Sequence, residues 1–416
     1  MDKRIIFHID VNSAYLSWEA VYRLQHGETL DLRTVPSVVG GDEASRHGIV
    51  LAKSIPAKAF KIQTGESLFA VRQKCPNLIV VPPRYDLYMQ CSTAMLNILQ
   101  EYSPTIQIFS IDECFLDITS MEKLFGDPLD MAKVIKERIK EELGFTINIG
   151  ISNSKLLAKI AGDLRKPDMI HTLFPEEIRE KMWPLPVEEL YMVGRATAPK
   201  LHKVGIYTIG DLANADVNML KYLLKSFGEL IWNYANGIEN SPVRQGAPIP
   251  IKGIGNSTTI AFDVEDRRTA HLVLLSLVET VAMRLRHANF CACLVSVSIR
   301  TNELISYSHQ HKFSVPTDCT TAIYEKACKL FDEAWKGQPI RHLGVRVSEL
   351  CANDFVQLSM FEKNWEKQKQ IDAAVDKIRM KYGSRSVIRS SFLHSMLKPI
   401  SGGVMEEDYQ MMSSIL

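Results

Sequence analysis

The chain has 416 residues, 46% of them apolar and 23% charged, with a net charge of +1. That length holds two to four compact domains with buried cores, and the near-neutral balance means that any surface for a polyanion must come from local clusters of Lys and Arg. No run approaches the roughly 18 consecutive apolar residues of a membrane span, and the first residues lack the apolar stretch of a secretory signal, so a cytoplasmic protein with no membrane partner is expected.

Arg4-Ile5-Ile6-Phe7-His8-Ile9-Asp10 is β-rich and mostly apolar, the pattern of a buried central strand that delivers Asp10 to its C-terminal edge. A helix follows from near Ser13, with short strands and helices over 12–82 and a long helix over 84–102. Residues 104–118 alternate as a β-hairpin: Ile106 and Ile108, a tight Ser110-Ile111-Asp112-Glu113 turn, then Phe115 and Ile118. A strand over 145–151 leads to a helix over 154–164, which stops ahead of Lys166-Pro167 because the residue before a proline disfavours the helical backbone. Strands and helices mix without a repeating βαβ unit, which makes the fold α+β.

Residues 168–240 are strongly helical and contain Val193-Gly194-Arg195 and Val204-Gly205-Ile206, a helix, a Gly-containing turn and another helix. Three basic residues, Arg195, Lys200 and Lys203, and no acidic ones fall between Val193 and Ile206. The Pro, Gly and Gln of 242–250 mark a linker. Beyond it a strand, a helix over 269–287, two strands over 293–313, a helix over 319–335 and a strand over 340–350 make a second α+β unit. The tail from Asn353 is polar, with an amphipathic helix near 366–381 and no recognisable chemistry in 401–416. The eight cysteines are scattered, only Cys291 and Cys293 lying close together, and read as reduced structural thiols.

Two places offer carboxylates for chemistry. Nucleotidyl transfer uses two divalent cations roughly 3.5–4 Å apart, one lowering the pKa of the attacking hydroxyl and one stabilising the departing pyrophosphate. Mg²⁺ takes oxygen ligands in near-octahedral geometry, so Asp10 at a strand end and Asp112-Glu113 at a hairpin tip suit the task if the strands are neighbours. Taken alone, Asp112-Glu113 reads at least as well as a polar turn.

Three longer runs carry the reading further: Ile9-Asp10-Val11-Asn12-Ser13-Ala14-Tyr15 with Glu19, Ser110-Ile111-Asp112-Glu113-Cys114-Phe115-Leu116-Asp117, and Gly150-Ile151-Ser152-Asn153-Ser154-Lys155-Leu156-Leu157-Ala158-Lys159-Ile160-Ala161. In this order they resemble the metal and nucleotide motifs of the Y-family, or translesion, DNA polymerases, and Tyr85 and Tyr88 ahead of Ser92 also fit. The similarity runs over about residues 4–400.

The resemblance implies a right-hand polymerase: palm over 1–11 and 80–166, fingers over 12–79, a helical thumb with a helix-hairpin-helix over 167–240, a linker over 241–250, a separate α+β little finger over 251–352, and a tail over 353–416. It implies that Asp10, Asp112 and Glu113 hold two Mg²⁺ ions, with the Val11 carbonyl as a further ligand. Ser13, Ala14, Tyr15, Lys58 and Lys159 would meet the nucleotide, and the Tyr15 ring would be a steric gate that excludes the ribose 2′-hydroxyl by overlap. In the triphosphate-binding run 52–60, Lys58 stands where the family commonly has Arg, keeping the charge without the bidentate fork. Ile55 stands where many members have a Tyr. With the Tyr15 gate, these lean toward the UmuC-like branch and away from the DNA polymerase IV branch. Ile49 and Leu51 would roof the nascent base pair.

DNA contacts are expected from Arg195, Lys200 and Lys203, since the turn of a helix-hairpin-helix presents N–H groups and basic side chains to phosphates. In the little finger, Arg267, Arg268, Arg284, Arg286 and Arg300 are candidates, of which Arg267 and Arg300 are chosen. Gln357-Leu358-Ser359-Met360-Phe361 resembles the peptide by which bacterial polymerases dock on the sliding clamp, an extended segment with apolar anchors for a groove. The implied activity is DNA-directed, lesion-tolerant DNA synthesis by a monomer at low fidelity. No second carboxylate constellation for proofreading stands apart from the palm. Primer-template DNA, deoxyribonucleoside triphosphates and the clamp are the implied partners, to which a UmuC-like enzyme would add accessory SOS proteins.

Two alternatives compete. Gly40-Gly41-Asp42-Glu43 has the look of the diguanylate cyclase signature, and a palm-fold nucleotidyl cyclase would consume GTP with no DNA present; four residues are a weak signal, distant in sequence from Asp10 and Asp112. A catalytically inactive, clamp-bound DNA-binding subunit is the other, and the presence of all three carboxylates and Lys159 speaks against it.

Overall fold

The computed structural model describes residues 4–43, 46, 48–244, 251–354, 365–393, 395, 397 and 399. They divide into two compact units, one from 4–41 and 50–244, the other from the 42–49 segment and the residues after 250. Among the described residues no helix is long and apolar enough to cross a membrane.

In the first unit, β1 (Ile6–Val11) is buried at every position. Strands β2 (Ser37–Gly40), β3 (Val50–Lys53) and β4 (Ile79–Val81) form a three-stranded sheet in the order β3-β2-β4, closed over Val38, Val50, Leu68 and Val71. Strands β5 (Thr105–Ile108), β6 (Glu113–Asp117), β7 (Ile147–Ser152) and β8 (Ile170–Thr172) join β1 in a five-stranded sheet of order β5-β6-β1-β7-β8. The expected central strand is thus central, antiparallel to both neighbours.

Alternation along β1 sends its side chains to two different layers. Phe7, Ile9 and Val11 pack with Leu99 of helix Tyr85–Gln100 and with Ile135 and Ile139 of helix Pro128–Leu143. Ile6 packs with Leu156, Leu157 and Ala158 of helix Lys155–Asp163, and His8 and Asp10 share that face. The helix comes close because Gly150 has no side chain: a Cβ there would lie 2.0 Å from the Ala158 carbonyl oxygen. Helix Pro128–Leu143, unassigned from the sequence, starts with an Asp127 cap and Pro128 in its first turn and stops at Gly144, φ 77°, a pairing that suits the two ends of a helix.

Two expected boundaries shift. Strand β8 pairs in parallel with β7, so the five-stranded sheet reaches past residue 166, and β4 pairs with β2, so the smaller sheet reaches past residue 79. Each short strand satisfies backbone groups on an edge that would otherwise stand open. The helical segment that follows packs Leu201, Ile209, Leu212, Leu220 and Ile231 into one core with Ile6 and Phe115. Of the expected linker, 245–250 lies outside the described residues, while Ser241 accepts from Arg4 at 2.5 Å and the Arg244 N–H donates to Gln107 at 3.0 Å.

In the second unit, β9 (Gly253–Val264), β10 (Phe290–Thr301), β11 (Ser306–Thr317) and β12 (Ile340–Ala352) form an antiparallel sheet of order β11-β10-β12-β9. Helices Arg267–His287 and Thr320–Ala334 cover one face over Val295, Val297, Ile299, Leu343, Val345 and Val347. Helix Trp365–Tyr382 is held to this unit by buried polar contacts: Arg286 to Asp376 at 2.6 Å, the Thr320 N–H to Asp372 at 2.8 Å, and Arg379 to Glu279 at 3.1 Å. Gln357, Leu358, Met360 and Phe361, the expected clamp peptide, lie outside the described residues.

Candidate active site

Asp10 and the adjacent pair Asp112 and Glu113, far from it in the sequence, meet at one edge of the five-stranded sheet. In the ladder Asp10 stands directly opposite Glu113 on β6 and Asn148 on β7, and residues so paired project to the same face. The hairpin turn is tied to the end of β1, because the Val11 N–H donates to the Asp112 carbonyl at 3.1 Å. Ser110 Oγ donates to Asp112 Oδ1 at 2.6 Å. Asp10, Val11 and Asp112 line a cleft of about 370 Å³ together with Ser13, Ala14, Tyr15, Lys58 and Lys166.

Buried Asn12 shapes the turn that follows β1. Its Nδ2 donates to Asn148 Oδ1 at 2.9 Å, and its Oδ1 accepts from Thr146 and from the Asp168 N–H, both at 2.9 Å. The chain then reverses at Ser13, φ 50°, and enters helix Ala14–Gln25, so the helix N-terminus opens on the cleft.

Burial pushes the Asp10 carboxyl above the ordinary range; Lys166 opposes that rise and Glu113 adds to it. Burial pushes Asp112 up to about 6, helped by Asp10 and Glu113 and opposed by the Ser110 hydrogen bond. Glu113 is also pushed up by burial, but the His8 hydrogen bond and the Lys159 ammonium outweigh it and hold the group at about 2. Two lysines neutralise the cluster: Lys166 pairs with Asp10, and with Asp163 at 2.7 Å, while Lys159, expected at a triphosphate, pairs with Glu113. Among the described residues no three His, Cys, Asp or Glu close into a ready-made metal cage. The donor set nevertheless fits a hard divalent cation, which takes carboxylate and carbonyl oxygens and whose charge relieves the repulsion among crowded acids.

Tyr15 is half-buried, and its ring stacks on Tyr88, with centroids 4.5 Å apart and 10° between planes. The Tyr88 hydroxyl donates to Glu19 at 3.0 Å, and Arg84 forks onto the same carboxylate with Nε at 2.9 Å and Nη2 at 2.6 Å. Lys58 and Ile55 come from the short helix Ile55–Lys58, capped by Ser54, and both line the cleft with Leu51. Ile49, expected beside Leu51, is 43% exposed. His8, Asn148 and Lys166 escaped the sequence reading. Their places depend on strand register and on the chain path after helix Lys155–Asp163, and Lys166 gave no signal beyond preceding a proline.

Arg195, Lys200 and Lys203 are exposed around helix Ala198–His202, which buried Val193, Leu201 and Ile206 anchor. In the second unit the uncovered face of the sheet presents three rows: Arg300–His342–Thr259, Ser298–Gly344–Ser257 and Ser296–Arg346–Gly255. Arg300 and Arg346 are exposed there among small residues. Arg267 starts a helix on the covered side and lies 3.7 Å from Asp332, and Arg286 is buried by Asp372 and Asp376. Of the arginines picked from the sequence, Arg300 stands on the open face, and Arg346 was missed because facing follows register.

The profile described as the impB/mucB/samB family matches residues 9–163, that of the family's C-terminal domain matches 251–360, and the IMS family HHH motif matches 175–206. The DNA polymerase IV of Clostridium acetobutylicum is 50% identical over 392 residues, 94% of this chain and 98% of that one. The DNA polymerase IV of Acetivibrio thermocellus is 39% identical over 396 residues, again 94% and 98%. Among solved structures, the "Y-family DNA polymerase chimera Dbh-Dpo4(243-245)-Dbh" superposes with a TM-score of 0.70 at 22% identity, covering 84% of this chain and 100% of that one, and so shares the fold. Both relatives carry the DNA polymerase IV name, not the UmuC name toward which Lys58 and Ile55 lean. With likeness of this degree along nearly its whole length, the chain belongs to the impB/mucB/samB family of Y-family DNA polymerases.

Proposed function

We infer that the chain is a DNA-directed DNA polymerase that copies past template lesions, and propose that Asp10, Asp112 and Glu113, with the Val11 carbonyl, hold two Mg²⁺ ions. The observation that carries this is the register that sets Asp10 opposite Glu113 while the adjacent Val11 N–H holds the Asp112 carbonyl. Ions bound there would activate the primer hydroxyl and stabilise the departing pyrophosphate. The N-terminus of helix Ala14–Gln25, at Ser13 and Ala14, offers to phosphate oxygens the backbone N–H groups that a first helical turn leaves without intrahelical partners. Lys58, Lys159 and Lys166 meet the triphosphate as point charges, and the Tyr15 ring, backed by Tyr88, blocks a ribose 2′-hydroxyl.

Primer-template DNA is gripped without reading sequence by Arg195, Lys200 and Lys203 and by the open sheet face bearing Arg300. The sliding clamp is engaged through Gln357, Leu358, Met360 and Phe361, a reading that rests on the sequence run itself. Primer extension by the purified chain on undamaged and abasic templates tests the activity. Asp10→Asn should abolish extension while leaving circular dichroism unchanged, and EDTA should stop the wild-type enzyme until Mg²⁺ is restored. Full extension by Asp10→Asn overturns the site, and GTP turnover without DNA would favour the cyclase.

A further inference from the structure

We propose that His8 is a positioning residue for Glu113, holding one carboxylate oxygen so that the other is presented for a metal ion. The proposal rests on the metal-site reading above. His8 lies two residues before Asp10 on the same face of β1, in the row Phe115–His8–Gly150, and is fully buried. A central strand gains more from an apolar side chain at such a place, since burying a polar ring costs stability unless its nitrogens are paired.

Only half of that requirement is met. The Nε2 atom lies 3.1 Å from Glu113 Oε2, and because a carboxylate only accepts, Nε2 carries the proton. The Nδ1 atom has no hydrogen-bond partner among the described residues. The ring cannot easily turn to find one: it packs 4.9 Å from the Phe115 ring, and a Cβ on Gly162 would come within 3.0 Å of Nδ1. Among the described residues, the single polar attachment of this buried imidazole is therefore Glu113. Lys159 lands on the same oxygen, Oε2, so Oε1 takes no hydrogen bond from the described residues. Lys159 is a flexible chain that can leave; His8 is locked in the core and stays, which fixes the Glu113 rotamer whatever the lysine does. Groups that orient metal ligands in this way typically matter by about 10–100-fold in affinity or activity.

The test compares His8→Phe, which keeps a ring and removes the donor, with His8→Gln, which restores an N–H at similar reach. Each full-length variant is assayed for kcat and KM of the incoming nucleotide, for Mn²⁺ binding by electron paramagnetic resonance without DNA or nucleotide, and for Tm. His8→Phe should lower kcat and weaken Mn²⁺ binding by roughly 10–100-fold, with KM and Tm close to wild type, and His8→Gln should recover most of both. Should His8→Phe not fold, His8→Leu is read in the same way. Wild-type kcat and Mn²⁺ affinity in the donor-free variant overturn the proposal, as does a loss that tracks Tm and is not rescued by Gln. Glu113→Gln, run in parallel, separates the two layers: if it stays active the metal-site reading fails, and if it is dead while His8→Phe is normal, the positioning role alone fails.

Discussion

At the edge of the five-stranded sheet, Asp10 is opposed to Glu113 by the ladder and neutralised by Lys166, from the segment that follows the helix packed on the same face. On the open face of the four-stranded sheet, Arg300 and Arg346 stand exposed among Ser, Thr, Gly and His342, and Arg300 donates to the exposed Ser306 hydroxyl. The first arrangement concentrates function in a few atoms whose relation depends on register, so that a slip of one residue along β1 would turn Asp10 to the opposite face. The second, in the reading proposed above, would spread DNA contact over a surface with several exposed polar side chains in place of one focus. One therefore expects large, all-or-none effects in the first unit and small, additive ones in the second.

The largest effect should come from Asp112→Ala. Loss of a carboxylate that carries metal charge removes several kcal/mol of transition-state stabilisation, on the order of 10³-fold in kcat, with the Kd for primer-template DNA nearly unchanged. Single-turnover extension at saturating DNA measures it, and a loss below tenfold would erase the contrast between the two units. Tyr15→Ala should sit in the middle. A contact that rejects one added oxygen by shape is worth about 1–3 kcal/mol, or 10–200-fold, so the ratio of deoxyribonucleotide to ribonucleotide incorporation should fall by that factor while deoxyribonucleotide insertion persists. An unaltered ratio would return Tyr15 to the role of a core aromatic stacked on Tyr88.

Local patterning made much of this visible in advance. The apolar run ending at Asp10 and the alternation around Asp112-Glu113 announce a strand and a hairpin, and both form where expected. The helix over 154–164 announces itself through Ser154, whose side chain accepts from the Leu157 N–H as a cap. What stayed hidden is whatever depends on chain paths meeting in space. His8 looks like an interruption in an apolar strand until its Nε2 is found on Glu113, and Lys166 looks like a helix stop until its ammonium is found on Asp10. Arg286 looks like a basic residue free for DNA, but Asp372 and Asp376, on a helix some 90 positions along the chain, bury it. Charge alone does not say which arginine faces solvent; register and packing do.

The smallest effect is the most discriminating test of the second unit. Each Arg that neutralises one phosphate contributes about 0.9 to the slope of log K against log salt, so Arg300→Ala and Arg346→Ala should each reduce that slope by about 1 and lower DNA affinity only a few-fold at moderate salt. At saturating DNA, kcat should hold. Arg267→Ala serves as the internal control, since Arg267 sits on the covered side beside Asp332 and should leave the slope as it was. If the three substitutions act alike, binding follows net charge and the open face has no special part. If Arg300→Ala or Arg346→Ala instead cuts kcat as deeply as Asp112→Ala, the four-stranded sheet shapes the reacting geometry itself, and the division between a register-built site and a distributed grip does not hold.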